Sequence, residues 1–461
     1  MSVFKGRNRH NTDMLSGSLW DKILMFALPL AASSMLQQLF NSADVAVVGK
    51  FTGKQALAAV GSNGPVINLL VNFFVGISVG TNVVIARYIG SGNEKRANSA
   101  AHTAVLVSVI CGFVIMALGL LVSPLILNLI GTPDDFIDLA VLYLRIYFCG
   151  MPFMMLYNFC SAIFRSKGDT KKPLIYLFVS GIVNVILNLI FVIVFKMGVA
   201  GVAIATVISN MISSVLMLRS LTKEEGAIKI TLKNLKIDKR NLSEIIRVGM
   251  PAGIQGMVFS ISNVCVLSGL NLLGTDVVSA SSAAQNYENL IYFMSNSFAQ
   301  ATVTFVSQNY GAGNLKRCKR AVLIGMGLSV AASAAMFAVF IVFRTPLLGI
   351  YTDDKEIIRI ASQRLAVVGG THFMCGIMDN LSCCMRGLGY SLEPALISMA
   401  GACGLRVLWI YTVFKKVQTF AMLVAVYPIS WFATALVLGI VCIYKFKVAE
   451  KKSARLADAV E

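Results

Sequence analysis

Asp44, Glu288, His372, Asp379 and Arg406 lie inside long apolar stretches, where an ionisable side chain is out of place. In a bilayer such a group costs ~2.5–3.5 kcal/mol at mid-helix, so it must hold a proton, a cation or a counter-charge. Asp44 sits in LFNSADVAVVG at 39–49 and has polar company. Gln37, Asn41 and Asp44 follow i, i+4, i+7 spacing and so share one helix face. Asn68 and Asn72 repeat the i, i+4 pattern, as do Asn184 and Asn188 in VNVILN. Counting ~1.5 Å per residue from the cytoplasmic end, Asn188 and Thr206 both lie ~20 Å deep, and Asp44 is expected higher, in the outer half. A carboxylate among amides and hydroxyls can take up and release a proton or a metal ion. The asparagines fit that role and fit equally the role of hydrogen-bonding glue between helices.

The second half of the chain differs. Arg406 lies ~18 Å beyond Pro394, close in depth to His372 and somewhat above Asp379. Two readings stand side by side: an Arg406–Asp379 ion pair, or a second ion site. His372, Cys375 and Asp379 share a helix face and are metal-ligand types, but no fourth ligand accompanies them, so no metal site is expected. Glu288 falls near the outer end of its stretch, where water is close. Pro29, below Asp44, removes a helical hydrogen bond and kinks its helix, as a hinge or as a static bend.

The elements that must position these residues are membrane helices. Of 461 residues, 57% are hydrophobic and 13% charged, about half the ~25% charged share of a soluble domain. Apolar runs of about twenty residues, enough to cross a ~30 Å hydrocarbon core, recur throughout. The expected spans are 20–48, 62–86, 99–123, 137–163, 173–195, 198–218, 243–271, 284–307, 319–343, 357–384, 394–414 and 419–444. The fold class is therefore an all-α polytopic membrane protein of about twelve helices.

The formal charge of +18 has a topological reading. Lys and Arg crowd alternate connections (87–96, 165–172, 219–247, 316–320, 445–455), whereas GTPDDFID at 131–138 and YTDDKE at 351–356 are acidic or weakly charged. This is the positive-inside bias; it places both termini in the cytoplasm and removes the need for a nucleic-acid partner. The polar start lacks the apolar core of a signal peptide and reads as a cytoplasmic tail. The ten cysteines fall mostly in apolar runs without a CxxC spacing, as small buried side chains do.

An internal repeat organises the chain. IGSGNEKR at 89–96 matches YGAGNLKR at 310–317, and RSKGDTKKP at 165–173 matches RGLGYSLEP at 386–394. Both matches have the same offset, 310 − 89 = 386 − 165 = 221. Pro29 and Pro251 are 222 apart. Six spans per repeat is even, so the copies share an orientation, related by a pseudo-two-fold axis along the membrane normal. The expected organisation is a tail at 1–19, a six-helix bundle at 20–218, a cytoplasmic linker at 219–242, a second bundle at 243–444 and a tail at 445–461. Gly90, Gly92, Gly311 and Gly313 lack the GK[ST] ending of a phosphate-binding loop and are read as helix terminators. An offset of 222 maps Asp44 to Val266, so the acid is absent from the second copy.

Beyond these residues, the chain resembles the multidrug and toxic compound extrusion (MATE) family from about residue 18 to 445. The resemblance rests on ALPL at 27–30, NSADVAVVG at 41–49, ARYIGSGNEKRA at 86–97, FRSKGDTKKP at 164–173, NVILN at 184–188, GVAGVAIATVISN at 198–210 and VSQNYGAGN at 306–314. It implies a multidrug efflux antiporter of the cell membrane that exchanges Na⁺ or H⁺ for organic, often cationic, compounds by alternating access. It also implies an ion-coupling site at Asp44, Asn184, Asn188 and Thr206, where many members have an aspartate in place of Asn188. Gln37, Asn41, Asn68 and Asn72 are the expected substrate-cavity residues and Pro29 the hinge. His372, Asp379 and Arg406 are the second-half candidates. Some members carry a glutamate on span seven, but MPAGIQGMVFSISNVCVL has no acid. No cofactor, no resident metal beyond Na⁺ at Asp44, and no enzymatic activity are expected, and one chain with both bundles should function as a monomer among membrane lipids. The alternative reading is a flippase for a lipid-linked sugar or peptide.

Overall fold

The structure, a computed structural model, describes residues 12–458, with side chains to residue 451. The extreme ends of the two expected tails, 1–11 and 459–461, lie outside the described residues. The described chain is helical, with α1 (Trp20–Phe51), α2 (Lys54–Gly90), α3 (Glu94–Ile130), α4 (Asp134–Cys149), α5 (Met151–Lys167), α6 (Lys171–Leu189), α7 (Gly198–Lys223) and α8 (Lys239–Asn271). There follow α9 (Thr275–Gly311), α10 (Leu315–Val342), α11 (Arg344–Leu348), α12 (Lys355–Arg364), α13 (Gly370–Gly387), α14 (Leu392–Ser398), α15 (Leu405–Trp409) and α16 (Phe420–Asp458).

Among the described residues nine helices are each long and apolar enough to span a membrane, and α4 with α5, bent by 47°, makes a tenth. Two further long helical rods, the polar α9 and α12–α13, make the count consistent with the twelve expected. Helices outrun the apolar runs that announce them: span two, expected at 62–86, is helical from Lys54 to Gly90. Polar flanks continue the backbone hydrogen bonding past the hydrocarbon edge. Likewise α16 carries helix to Asp458, through most of the tail expected from 445.

The repeat is visible in the turns. Gly92 and Gly313 have φ of 71° and 74°, and Gly168 and Gly389 φ of 100° and 95°. These left-handed positions favour glycine because a Cβ would meet the backbone carbonyl. After each of the first pair, an asparagine caps the next helix: Asn93 Oδ1 accepts from the Arg96 amide at 3.1 Å and Asn314 Oδ1 from the Arg317 amide at 3.0 Å. The glycines thus end helices, as expected from their sequence.

The chain divides into two compact units, Ala32–Ile246 with Thr12, and Asp13–Ala31 with the residues from Arg247 onward. The division falls inside α1, just after Pro29, rather than in a loop. In unit 1 the core runs through Ile85, Phe159, Phe164, Met217 and Leu221 and takes in Ile228 and Ile230. The latter two lie in the segment expected to be a linker, and their burial ties it down. In unit 2, Ile23 and Phe26 of α1 pack with Phe298 and Phe305, the Phe26 and Phe305 rings edge-on at 5.8 Å. Arg317 fixes the chain ahead of α1 by donating to the carbonyls of Met14, Ser16 and Gly17 at 2.8–3.1 Å.

Many large apolar side chains face outward, for example Phe113, Leu121, Leu125 and Leu129 of α3. Repeating along one helix, with Leu121, Leu125 and Leu129 a turn apart, they form the lipid-facing stripe of a protein whose solvent is hydrocarbon. All ten cysteines are free thiols, and seven are buried.

Candidate functional site

Asp44 of α1 is buried, with 7% of its surface exposed. Asn188 Nδ2 donates to Asp44 Oδ1 at 2.5 Å, and Thr206 Oγ1 donates to Oδ2 at 3.2 Å. Asn188 Nδ2 also lies 3.3 Å from Asn184 Oδ1, and Asn184 Nδ2 lies 3.5 Å from Thr206 Oγ1. Three helices, α1, α6 and α7, therefore close one polar ring within unit 1, with Asp44 level with Asn188 and Thr206 rather than above them as expected. Neither donor to the carboxylate is charged. Asn188 Oδ1 is buried and accepts no hydrogen bond, an acceptor left over where buried polar atoms are normally paired.

Local sequence explains the closeness. Asn184 and Asn188 share a face of α6, and Gly181, one turn earlier, has no side chain where a Cβ would run into the Phe40 ring of α1. That gap lets α1 approach α6. Directly after Asn188 and Leu189 the helix widens into a π turn at Ile190–Val194, a local irregularity that often marks functional segments. Val47, Val48, Tyr143, Val192 and Val202 pack together in an apolar cluster within the same unit. Dry surroundings strengthen every interaction with the carboxylate.

The sequence-predicted cavity residues lie elsewhere. Gln37 and Asn41 stand on the accessible face of α1, and Asn68 and Asn72 on that of α2, rather than in the buried ring. Pro29 is within α1, close to the division between the units.

In unit 2 the Arg406–Asp379 ion pair, one of the two readings of these residues, does not form. Arg406 Nε donates to Ser430 Oγ at 3.2 Å and Nη1 to Asn263 Oδ1 at 3.4 Å, while Asp379 Oδ2 accepts from Asn296 Nδ2 at 3.4 Å. The hydrogen-bond partners of both groups are neutral. His372 is buried with its ring edge-on to Trp431 at 5.0 Å and to Tyr292 at 6.1 Å. Among the described residues no three His, Cys, Asp or Glu side chains group as metal ligands. Glu288, expected near water, is instead buried and held by both ends of Arg364 at 2.9 and 3.0 Å. Arg364 is not among the sequence candidates, although it falls inside the expected span 357–384.

A model of the MatE family matches residues 29–190 and 251–412. The two copies stand at an offset of 222 (251 − 29 and 412 − 190) and together exceed half the chain. The chain belongs to the MatE family. It is 29% identical to the probable multidrug resistance protein YoeA of Bacillus subtilis, over 95% of this chain and 96% of that one. It is 27% identical to the probable multidrug resistance protein NorM of Thermotoga maritima, over 82% of both. Among solved structures, an outward-facing multidrug resistance MATE transporter superposes with a TM-score of 0.89 at 22% identity, covering 97% of this chain and 100% of that chain. A MOP superfamily transporter from Pyrococcus furiosus superposes with a TM-score of 0.89 at 22% identity, over 96% and 100%. As a MatE protein the chain is a multi-pass membrane transporter and not an enzyme.

The family repeat also locates the counterpart of Asp44. At the same offset it is Val266, which packs with Leu270, Ile410, Phe414 and Leu423 in an apolar cluster. Asp44, Asn184 and Asn188 lie in the first matched copy and Thr206 beyond its end, and the second copy has no acid at the Asp44 position.

Proposed function

We propose that the protein is a secondary active efflux antiporter in which Asp44 carries the coupling ion, Na⁺ or H⁺, as an organic, often cationic, compound is exported. The observation that carries the reading is the buried Asp44 carboxylate, met by Asn188 and Thr206 and, among the described residues, by no cationic side chain. A carboxylate so placed is stabilised by a proton or a hard cation. Asn184 Oδ1, Asn188 Oδ1 and Thr206 Oγ1 supply the neutral oxygens that such a cation prefers. The ion is cargo here: its arrival changes the charge of the ring, and it shifts the conformational equilibrium to the extent that it binds the two states unequally.

The basic connections support a plasma-membrane location with both termini in the cytoplasm. Each chain carries both MatE copies, which supports function as a monomer. Pro29, close to the division of α1, is the proposed hinge, and Gln37, Asn41, Asn68 and Asn72 the proposed compound-facing amides. A relative from Shewanella oneidensis, 23% identical over 98% of this chain and all of that one, is named as an FAD transporter. Anionic compounds therefore belong in any substrate screen.

The test is accumulation of cationic dyes by inside-out vesicles under separately imposed Na⁺ and pH gradients. Wild type should accumulate dye with at least one gradient, and Asp44→Asn with neither. Undiminished accumulation by a folded, inserted Asp44→Asn protein overturns the assignment.

A further inference from the structure

We propose that unit 2 contains an anion subsite centred on Arg406, which takes the carboxylate or phosphate group of a planar aromatic compound. The subsite is the charge-inverted counterpart of the Asp44 ring. The ends of the family match, 29 to 251 and 190 to 412, stand 222 apart, against 221 for the 165–173 and 386–394 motifs; at 222, Asn41 falls on Asn263, Asp44 on Val266, Asn184 on Arg406 and Asn188 on Ile410. One copy therefore places an acid among amides, and the other replaces an amide with a guanidinium and the acid with valine.

Arg406 is 2% exposed, and its hydrogen-bond partners, Ser430 and Asn263, are neutral. Two carboxylates within the helices of unit 2 that could have balanced it are committed elsewhere: Glu288 to Arg364, and Asp379 to Asn296. Ring faces supply the remaining compensation. The guanidinium carbon lies 4.7 Å from the Tyr427 ring centre and 5.7 Å from that of Trp431. Tyr427 is shared, because Arg364 lies 5.3 Å from the same ring. Arg364 already has Glu288 as its counter-charge, whereas Arg406 has two neutral hydrogen-bond partners and the Tyr427 and Trp431 rings, which offset only part of its desolvation and leave it in want of an anion.

The backbone around it is built for more than packing. Arg406 stands on the short helix α15, between π segments at Met399–Gly404 and Ile410–Phe414. Such widened turns displace a helix from regular packing and recur at functional sites. The network also reaches accessible surface, since Asn263 is exposed. A guanidinium fork favours carboxylate and phosphate oxygens bidentately, and Trp431, Tyr427 and His372 offer aromatic faces and edges beside it. That combination selects an aromatic anion over an aliphatic one.

Transport of this anion rests on the efflux reading above; its binding does not. Binding is therefore the readout, with no ion gradient applied. Full-length protein in phosphatidylcholine nanodiscs is titrated into fluorescein, an aromatic carboxylate, and into rhodamine 6G, a cation of similar shape, and anisotropy is followed. Arg406→Gln should weaken fluorescein binding at least about tenfold and leave rhodamine 6G within about twofold. Unchanged fluorescein binding, or equal loss of both dyes, overturns the subsite. A measurement on the unaltered protein guards against a variant that does not fold: benzoate should displace fluorescein and the neutral isostere benzamide should not. Equal displacement by benzamide overturns the proposal, whereas loss of ion-driven transport with benzoate displacement intact counts against the antiport reading alone.

Discussion

Asn188 donates its amide nitrogen to Asp44 at 2.5 Å while its own oxygen, buried on the same amide group, accepts nothing. The pair joins α1 to α6, elements far apart in the sequence. It leaves an oxygen available beside a carboxylate that no side-chain cation among the described residues neutralises. Asn188→Ala should keep Asp44 but remove both the donor and the spare oxygen. Ion-driven dye transport should fall at least about tenfold, measured in vesicles at matched protein levels. Transport at the wild-type rate would remove Asn188 from the site.

Gly181→Leu tests the helix approach rather than the chemistry. A side chain at 181 must displace the Phe40 ring, and overpacking of this kind costs about 1–3 kcal/mol. The expected result is a lowered thermal midpoint together with impaired transport, since α1 can no longer bring Asp44 to Asn188. Gly181→Leu combined with Phe40→Ala should recover part of both. Wild-type transport by the single variant would show that the close approach is dispensable.

Arg364 and Glu288 form a buried bidentate pair with side chains 3% and 6% exposed. Removing one partner strands the other, a loss of about 3–5 kcal/mol, whereas apolar replacement of both is near neutral. Arg364→Met and Glu288→Leu should each lower the thermal midpoint of the purified protein. The double variant should be more stable than either, and additive losses would contradict a pairwise role.

How much of this is legible in the sequence varies with the range of the interaction. The Asp44 ring can be read because Asn184 and Asn188 announce themselves by i, i+4 spacing and the family resemblance adds Thr206. The fold follows from apolar runs, basic loops and the recurring Gly-Asn turns, all local signals. The Glu288–Arg364 pair escapes such reading because its members belong to different helices, and neither helix pattern shows which way its charge points. Arg406 stands only somewhat above Asp379 by residue count, but depth ignores azimuth, and Ser430 and Asn263 face Arg406 instead. The division of α1 near Pro29 is equally hidden, since boundaries are ordinarily sought in loops and this one cuts a continuous helix.

Glu224, just past the end of α7, gives a pH-dependent prediction outside the membrane spans. Burial pushes its carboxyl up, but hydrogen bonds and charge from Lys167 and Lys172 outweigh this and hold it below the usual value. It lines a cavity of about 370 Å³ with Lys172, Tyr176, Arg219 and Lys223. A folded-state value below the unfolded ~4.3 stabilises the fold above that pH and ceases to do so as pH falls through the folded value. Wild type should therefore exceed Glu224→Gln in thermal midpoint at about pH 6–7, and the gap should close under acid. A gap independent of pH would show that the carboxylate charge does not matter.

If Asp44 carries the coupling ion, reversed coupling reveals it most directly. Proteoliposomes are loaded with a cationic dye, no ion gradient is imposed, and Na⁺ and H⁺ movements are recorded as dye leaves. Wild-type protein should draw one of the two ions inward in proportion to dye efflux, and Asp44→Asn should move neither. Dye-driven ion movement that persists in a correctly inserted Asp44→Asn protein would contradict the account.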